Sequence, residues 1–153
     1  MRRKKLIVAV LFLLSIITGF FREWIFINLN EQKRVTYFHD NDSHVSSSLS
    51  WLSHLSFSTL SFLKWPLTLF FTTAFAFITA TAVKIWFGDK EKVRLTFIIY
   101  AIVMVTGILI YLFGFAIGHP YTTYDISRFL AGLTETPALM IILFASFMVM
   151  KKN

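Results

Sequence analysis

The sequence feature that most constrains the fold is Leu95–Ile117, a run of 23 residues without a charged side chain. A helix rises about 1.5 Å per residue and the hydrocarbon core of a bilayer is about 30 Å thick, so this run is long enough to cross the core. Only 15% of the residues are charged and 56% are hydrophobic, whereas soluble domains have about 25% charged residues. We therefore predict a single membrane domain over residues 1–153 and exclude a soluble enzyme.

Three other apolar stretches complete the predicted membrane domain. The basic start Met1–Lys5 is also typical of a signal peptide, but no small-residue cleavage site follows the first apolar stretch, so we expect a retained span. Pro66 suits the first turn of the second helix. The last apolar run, Pro137–Met150, is too short to cross alone, so a full crossing draws Glu135 inside the hydrocarbon edge. We predict an all-α fold with four transmembrane helices, at approximately residues 6–27, 66–87, 95–117 and 129–150.

The segment of residues 28–64 separates the first two predicted spans. Its first part is polar and is expected to lie outside the bilayer. Within it, Leu49–Leu63 alternates apolar and hydroxyl residues, and its apolar residues occupy about half of a helical wheel. This pattern predicts an interfacial amphipathic helix or a re-entrant segment, although the same alternation also permits a strand.

The charge distribution predicts the orientation of the four spans. Four spans place both termini on one side of the membrane. That side has ten basic residues and only the acids Asp89 and Glu91: Arg2, Arg3, Lys4, Lys5, Lys84, Lys90, Lys92, Arg94, Lys151 and Lys152. The other side has five basic and six acidic residues: Arg22, Lys33, Arg34, Lys64, Arg128, Glu23, Glu31, Asp40, Asp42, Asp125 and Glu135. Because cytoplasmic loops are rich in Lys and Arg, we expect both termini to be cytoplasmic.

The residues that usually carry catalytic or metal chemistry give weak signals. The run His39–His44 concentrates potential metal ligands, but it lacks helical ligand spacing and is better explained as a solvated loop. His54 and His119 are isolated, no histidine lies well inside a predicted span, and cysteine is absent. We predict no catalytic, metal-binding or cofactor-binding residue. Nucleic acid is not an expected partner either, because the basic residues flank apolar runs instead of forming a basic stripe.

Four charged residues near the outer ends of the predicted spans are the candidate functional residues: Arg22, Glu23, Arg128 and Glu135. By helical rise, Arg22 lies about 24 Å from the start of the first span and Glu135 about 22 Å from the end of the last, so both reach a similar depth. A charge at that depth is costly unless it is paired, protonated or extended to the headgroups. Arg22 is therefore predicted to pair with Glu135. The alternative is that all four anchor their helices independently.

Three short motifs resemble a known family. The first span ends in Phe21–Phe26 (FREWIF), a charged turn at Gly88–Arg94 follows the second span, and Tyr124–Leu130 (YDISRFL) introduces the last. With its length and basic start, the chain resembles the exosortase-F-system-associated membrane proteins of the Bacteroidetes. The resemblance implies a multi-pass protein of the bacterial inner membrane, and membrane lipids and an exosortase-family transpeptidase as partners.

The resemblance also implies a function. Exosortases are membrane transpeptidases that process the C-terminal sorting signals of exported proteins and use a catalytic cysteine, which this chain lacks. A non-enzymatic accessory or scaffold protein of an exosortase-type sorting or surface-export system is therefore the expected function. The alternative is a small transporter-like or lipid-interacting subunit unrelated to sorting. The sequence does not indicate an oligomeric state.

Overall fold

A computed structural model describes residues 2–39, 44–118 and 120–150 of the protein. The described residues form five α-helices and one 3₁₀ helix and contain no strand, which confirms the predicted all-α class for this part of the chain. The helices are α1 (Arg2–Phe38), α2 (Phe57–Phe87), α3 (Lys90–Ala116), α4 (Pro120–Thr134) and α5 (Pro137–Met150), and the 3₁₀ helix is Ser47–His54.

Helices α1, α2 and α3 are each long and apolar enough to cross a membrane. Helices α4 and α5 are together long and apolar enough to form one further span, although the chain bends by 64° at the short break between them. Large apolar side chains are exposed around the bundle, including Phe20, Phe70 and Phe113. Water-soluble proteins rarely expose large continuous apolar patches, and this surface is compatible with a membrane protein.

Helix α1 continues to Phe38, well beyond the predicted end of the first span at residue 27. Polar side chains stabilise this extension, because Asn28 Nδ2 donates to the Trp24 carbonyl oxygen at 2.8 Å. Asn28 Oδ1 also accepts from the Ser46 backbone N–H at 2.6 Å, which holds the returning chain against the helix. The predicted outer segment is therefore helical as far as Phe38.

The structure divides the stretch Leu49–Leu63, for which we predicted one amphipathic helix, a re-entrant segment or a strand. Its first residues belong to the 3₁₀ helix, and its last residues are the first turns of α2. The division occurs at Leu55, which is extended, and Ser56, whose side chain caps α2 by accepting from the Thr59 backbone N–H. The prediction that Pro66 begins the second helix is wrong, because a full cap already starts the helix at Phe57.

Helices α2 and α3 form an antiparallel hairpin. Gly88 ends α2 with a φ of 68°, which is a left-handed conformation that glycine adopts without steric cost. Asp89 then caps α3, since its carboxylate accepts from the Glu91 backbone N–H at 2.9 Å. The hairpin is fixed further along by a buried hydrogen bond of 2.9 Å between the Thr79 and Tyr100 hydroxyls.

The last predicted span, residues 129–150, is not one continuous helix. It ends at Thr134 and resumes at Pro137, and Glu135 and Thr136 lie in the break. Proline lacks a backbone N–H and disfavours a helical conformation for the residue before it, so Pro137 can begin a helix but cannot easily continue one. At this break the chain changes direction by 64° between α4 and α5. Glu135 therefore lies where the two helices meet.

Candidate functional site

The predicted contact between Arg22 and Glu135 is confirmed. Arg22 Nη2 lies 2.6 Å from Glu135 Oε2, and Arg22 Nε donates to the same oxygen at 2.7 Å. The side chain of Glu135 is only 1% exposed and that of Arg22 is 17% exposed. This ion pair therefore connects α1 to the break between α4 and α5 in a largely desolvated environment.

Arg22 also pairs with Glu23, which we did not predict. Adjacent residues on one helix usually point to different faces, but Arg22 Nη1 donates to Glu23 Oε2 at 2.7 Å. Two long side chains can meet beside the helix, and a guanidinium group has enough N–H donors to serve two carboxylates. Since the Glu23 side chain is 58% exposed, this second pair is at the surface.

One oxygen of the buried carboxylate has no partner among the described residues. Glu135 Oε1 is buried and accepts no hydrogen bond there. The Thr68 side chain lines the same cavity, but no hydrogen bond joins its hydroxyl to Oε1. The Arg22 guanidinium is therefore the main compensation for the Glu135 charge.

Arg128 lies seven residues, or two helical turns, before Glu135, a spacing that places both on one helix face. Helix α4 ends at Thr134, and the Glu135 backbone N–H still donates to the Ala131 carbonyl oxygen at 3.1 Å, so the helical spacing extends to Glu135. Arg128 is exposed and forms no ion pair with any described residue. It nevertheless lines the same cavity as Arg22, Glu23 and Glu135, so the structure brings the four candidate residues together around one cavity.

The cavity has a volume of about 410 Å³, which lies within the size range of small-molecule sites, roughly 300–1,000 Å³. It is formed where α1, α2, α3 and α4 meet at the end of the bundle away from Arg2. Its charged lining residues are Arg22, Glu23, Lys33, Lys64, Arg128 and Glu135, and its aromatic lining residues are Phe26, Trp65, Tyr111 and Tyr124.

Positive charge exceeds negative charge in this cavity. Its two carboxylates both contact Arg22, whereas Lys33, Lys64 and Arg128 form no ion pair with any described residue. Lys64 Nζ donates to Asn30 Oδ1, and Lys33 Nζ lies 4.7 Å from the centroid of the Phe57 ring. The charges of Lys33 and Arg128 also repel that of Lys64. The three cations thus raise the positive potential of one small space.

An aromatic cluster forms one wall of the cavity. The Trp65 and Tyr111 rings lie 5.7 Å apart, and the Tyr111 and Tyr124 rings lie 6.4 Å apart. Trp65 and Tyr124 are also exposed at the surface of the bundle. Their amphipathic rings can contact both an apolar chain and a polar group, so this wall suits an amphiphilic ligand.

Sequence reasoning missed Lys33 and Lys64 as members of this site. Both fell within the segment that we interpreted as a loop and a membrane-surface helix, so their positions could not be compared with that of Arg128. One available signal was the helical spacing of Asn28, Leu29 and Gln32, which are all buried on one face of α1. That spacing indicates that α1 continues and carries Lys33 with it.

No family model, curated protein or solved structure matches this chain.

The predicted solvated run His39–His44 cannot be assessed as a whole, because residues 40–43 lie outside the described residues, as does His119. Within the described residues no three His, Asp or Glu side chains are grouped so that they could hold a metal ion. The side chains that line the charged cavity offer ionic and hydrogen-bonding chemistry, and the excess of cations among them favours an anion.

Proposed function

We propose that this protein is a non-enzymatic accessory or scaffold membrane protein of an exosortase-type sorting or surface-export system. In this proposal it acts by binding an anionic group in the charged cavity. The assignment to an exosortase system is supported by the resemblance of Phe21–Phe26 and Tyr124–Leu130 to the associated family. The binding role is supported by the geometry of the cavity.

The observation that carries the binding role is a group of three cavity-lining cations that form no ion pair with any described residue, Lys33, Lys64 and Arg128. Like charges that are held close together destabilise one another, and an anion between them relieves the repulsion. The Arg22–Glu135 ion pair fixes another part of the cavity lining. A binding site that is already formed loses less entropy when its ligand binds.

We further propose that the protein spans the bacterial inner membrane four times, with α4 and α5 together forming the broken fourth span. Both termini are then cytoplasmic, because the sequence assigns ten basic residues to the terminal side of the four spans and five to the other side. The charged cavity lies at the end with five, so in this orientation it faces the outer side of the membrane. An exported substrate of the sorting system would reach the protein on the outer side of the membrane.

One observation favours the alternative class, a small transporter-like or lipid-interacting subunit. The fourth span is broken next to Glu135, and helices broken beside charged residues often form substrate sites in transporters. The two proposals predict different protein partners, an exosortase for the first and a transport ATPase for the second.

Co-purification tests the proposed function. Tagged protein is extracted from the native membrane in a mild detergent, and its partners are identified by mass spectrometry. We expect an exosortase-family transpeptidase to co-purify with the wild-type protein and to be reduced for Arg128→Glu. Arg94→Glu is the matched control, since Arg94 is also an exposed helical arginine but lies at the opposite end of the bundle.

The proposal is contradicted if no exosortase co-purifies, or if a transport ATPase is recovered in its place. Equal loss of the exosortase with both variants would contradict the role of the cavity. Equal expression and equal unfolding temperatures of the two variants, measured in the same detergent, ensure that the comparison reports on binding.

A further inference from the structure

We infer that the charged cavity binds the phosphate group of an anionic membrane lipid, with Lys33, Lys64 and Arg128 as the residues that recognise it. This inference rests on the proposed binding role of the cavity and is independent of the exosortase partner. It specifies the chemical class of the ligand, a phosphodiester that carries a net negative charge on an amphiphile.

The charged groups of the cavity favour phosphate. Lysine contributes a point charge with three N–H donors, and arginine contributes a planar group that can donate two parallel hydrogen bonds to phosphate oxygens. Both carboxylates in the cavity are already engaged by Arg22, so they do not neutralise the three remaining cations. A phosphodiester offers several oxygens to three donors that approach from α1, α2 and α4.

The position of the cavity favours a lipid as the source of that phosphate. The cavity is lined by Trp65 and Tyr124, which are exposed on the side of an otherwise apolar bundle. Tryptophan and tyrosine are enriched at the level of lipid headgroups, where one part of the ring is in contact with apolar chains. Basic cavities between transmembrane helices bind anionic headgroups on the cytoplasmic side of membranes, and the same charge complementarity applies to a cavity at the outer end of the bundle. A lipid can therefore place its headgroup among the cations while its chains follow the exposed apolar surface.

The bound anion would also offset the repulsion that Lys33 and Arg128 exert on Lys64. These residues come from three different helices, so their repulsion acts to separate α1, α2 and α4. An anion that contacts all three would hold these helices together. We therefore expect the anionic lipid to stabilise the folded protein in addition to binding it.

Lipid titration of the purified full-length protein tests this inference. Protein in a neutral detergent is titrated with phosphatidylglycerol, with phosphatidylcholine or with inorganic phosphate, and bound species are counted by native mass spectrometry. The main variant is R128Q, because Arg128 forms no ion pair with a described residue and its replacement breaks none. The second variant is K64Q/R128Q, and its matched control is K90Q/R94Q at the opposite end of the bundle.

We expect one phosphatidylglycerol to bind with a dissociation constant well below that of phosphatidylcholine and to raise the unfolding temperature. Since each basic residue near an anionic headgroup contributes a comparable attraction, affinity should fall about fivefold in R128Q and about 25-fold in K64Q/R128Q. The control K90Q/R94Q should retain wild-type affinity.

Three results would overturn the inference. Equal binding of the two lipids would show no preference for a net negative headgroup. Equal loss of affinity in K64Q/R128Q and K90Q/R94Q would place the lipid elsewhere on the surface. Tight binding of inorganic phosphate without preference for phosphatidylglycerol would assign the cavity to a soluble anion. An exosortase that still co-purifies under any of these results would leave the proposed function standing. Failure of the lipid inference is therefore distinguishable from failure of the proposed function.

Discussion

Arg22 and Glu135 are separated by 113 residues in the sequence, and their side chains form an ion pair with a closest approach of 2.6 Å. The pair is asymmetric, because Glu135 is almost fully buried and Arg22 is its main partner, whereas Arg22 also contacts Glu23. It joins the first helix to the break in the last span and forms one wall of the charged cavity. The ion pair is therefore placed to fix the geometry of the charged end of the bundle.

The exposed partner of Arg22 should matter little for stability. Glu23→Ala removes an ion pair whose carboxylate is 58% exposed, and exposed pairs contribute about 0.2–1 kcal/mol. We expect the free energy of unfolding in detergent to fall by less than about 1 kcal/mol. A loss as large as that of Glu135→Ala in the same assay would mean that Glu23 supports Arg22 more strongly than its exposure indicates.

Gly114 allows α3 and α4 to approach closely. An added Cβ at this position would lie 1.6 Å from Thr123 Oγ1 and 2.3 Å from Thr123 Cβ, so the helices would have to separate. Gly114→Ala should lower the free energy of unfolding by about 1–3 kcal/mol, which is typical of an overpacked interface. Unfolding in detergent, followed by circular dichroism, measures this change.

Gly132→Ala is the matched control for Gly114→Ala, since a Cβ there meets no atom within 4 Å. Alanine favours a helix over glycine by about 1 kcal/mol, so this control should keep or slightly raise stability. If both substitutions have the same effect, the close approach of α3 and α4 at Gly114 is not a determinant of stability.

The proposed orientation predicts which residues are accessible from outside. The chain has no cysteine, so single cysteines can be introduced at Ser47 and at Glu91, two exposed positions at opposite ends of the bundle. In intact spheroplasts an impermeant maleimide should label Ser47→Cys and should label Glu91→Cys only after lysis. The reverse pattern would place both termini outside.

Several features of the fold and site follow directly from the sequence. The apolar run of α3 is unambiguous because no charge interrupts it, and the Arg22–Glu135 contact follows from the similar depth of two charges on antiparallel helices. The two charges meet although the last span is not one continuous helix. Glu135 is the first residue of the break and lies two residues before α5 begins, so its distance from Met150 along the bundle is close to the distance that we counted for a continuous helix.

Other features depend on tertiary contacts that periodicity does not reveal. The extension of α1 is stabilised by the hydrogen bond between Asn28 and the backbone of Ser46, which lies after the helix ends. The start of α2 at Phe57 depends on the cap at Ser56, in a stretch so rich in serine that many residues could serve as caps. Because these two boundaries position Lys33 and Lys64, the cationic half of the cavity could not be predicted from the sequence.

A double-mutant cycle on Arg22 and Glu135 most directly tests whether their ion pair fixes the charged end of the bundle. Arg22→Ala leaves Glu135 buried without its main partner and should cost about 3 kcal/mol, whereas Glu135→Ala should cost less because Arg22 retains Glu23. The free energies of unfolding of the wild type, both single variants and the double variant are measured in one detergent. We predict that the double variant loses about 1–3 kcal/mol less than the sum of the single losses. Strictly additive losses would contradict the pairing and would mean that the two charges anchor their helices independently.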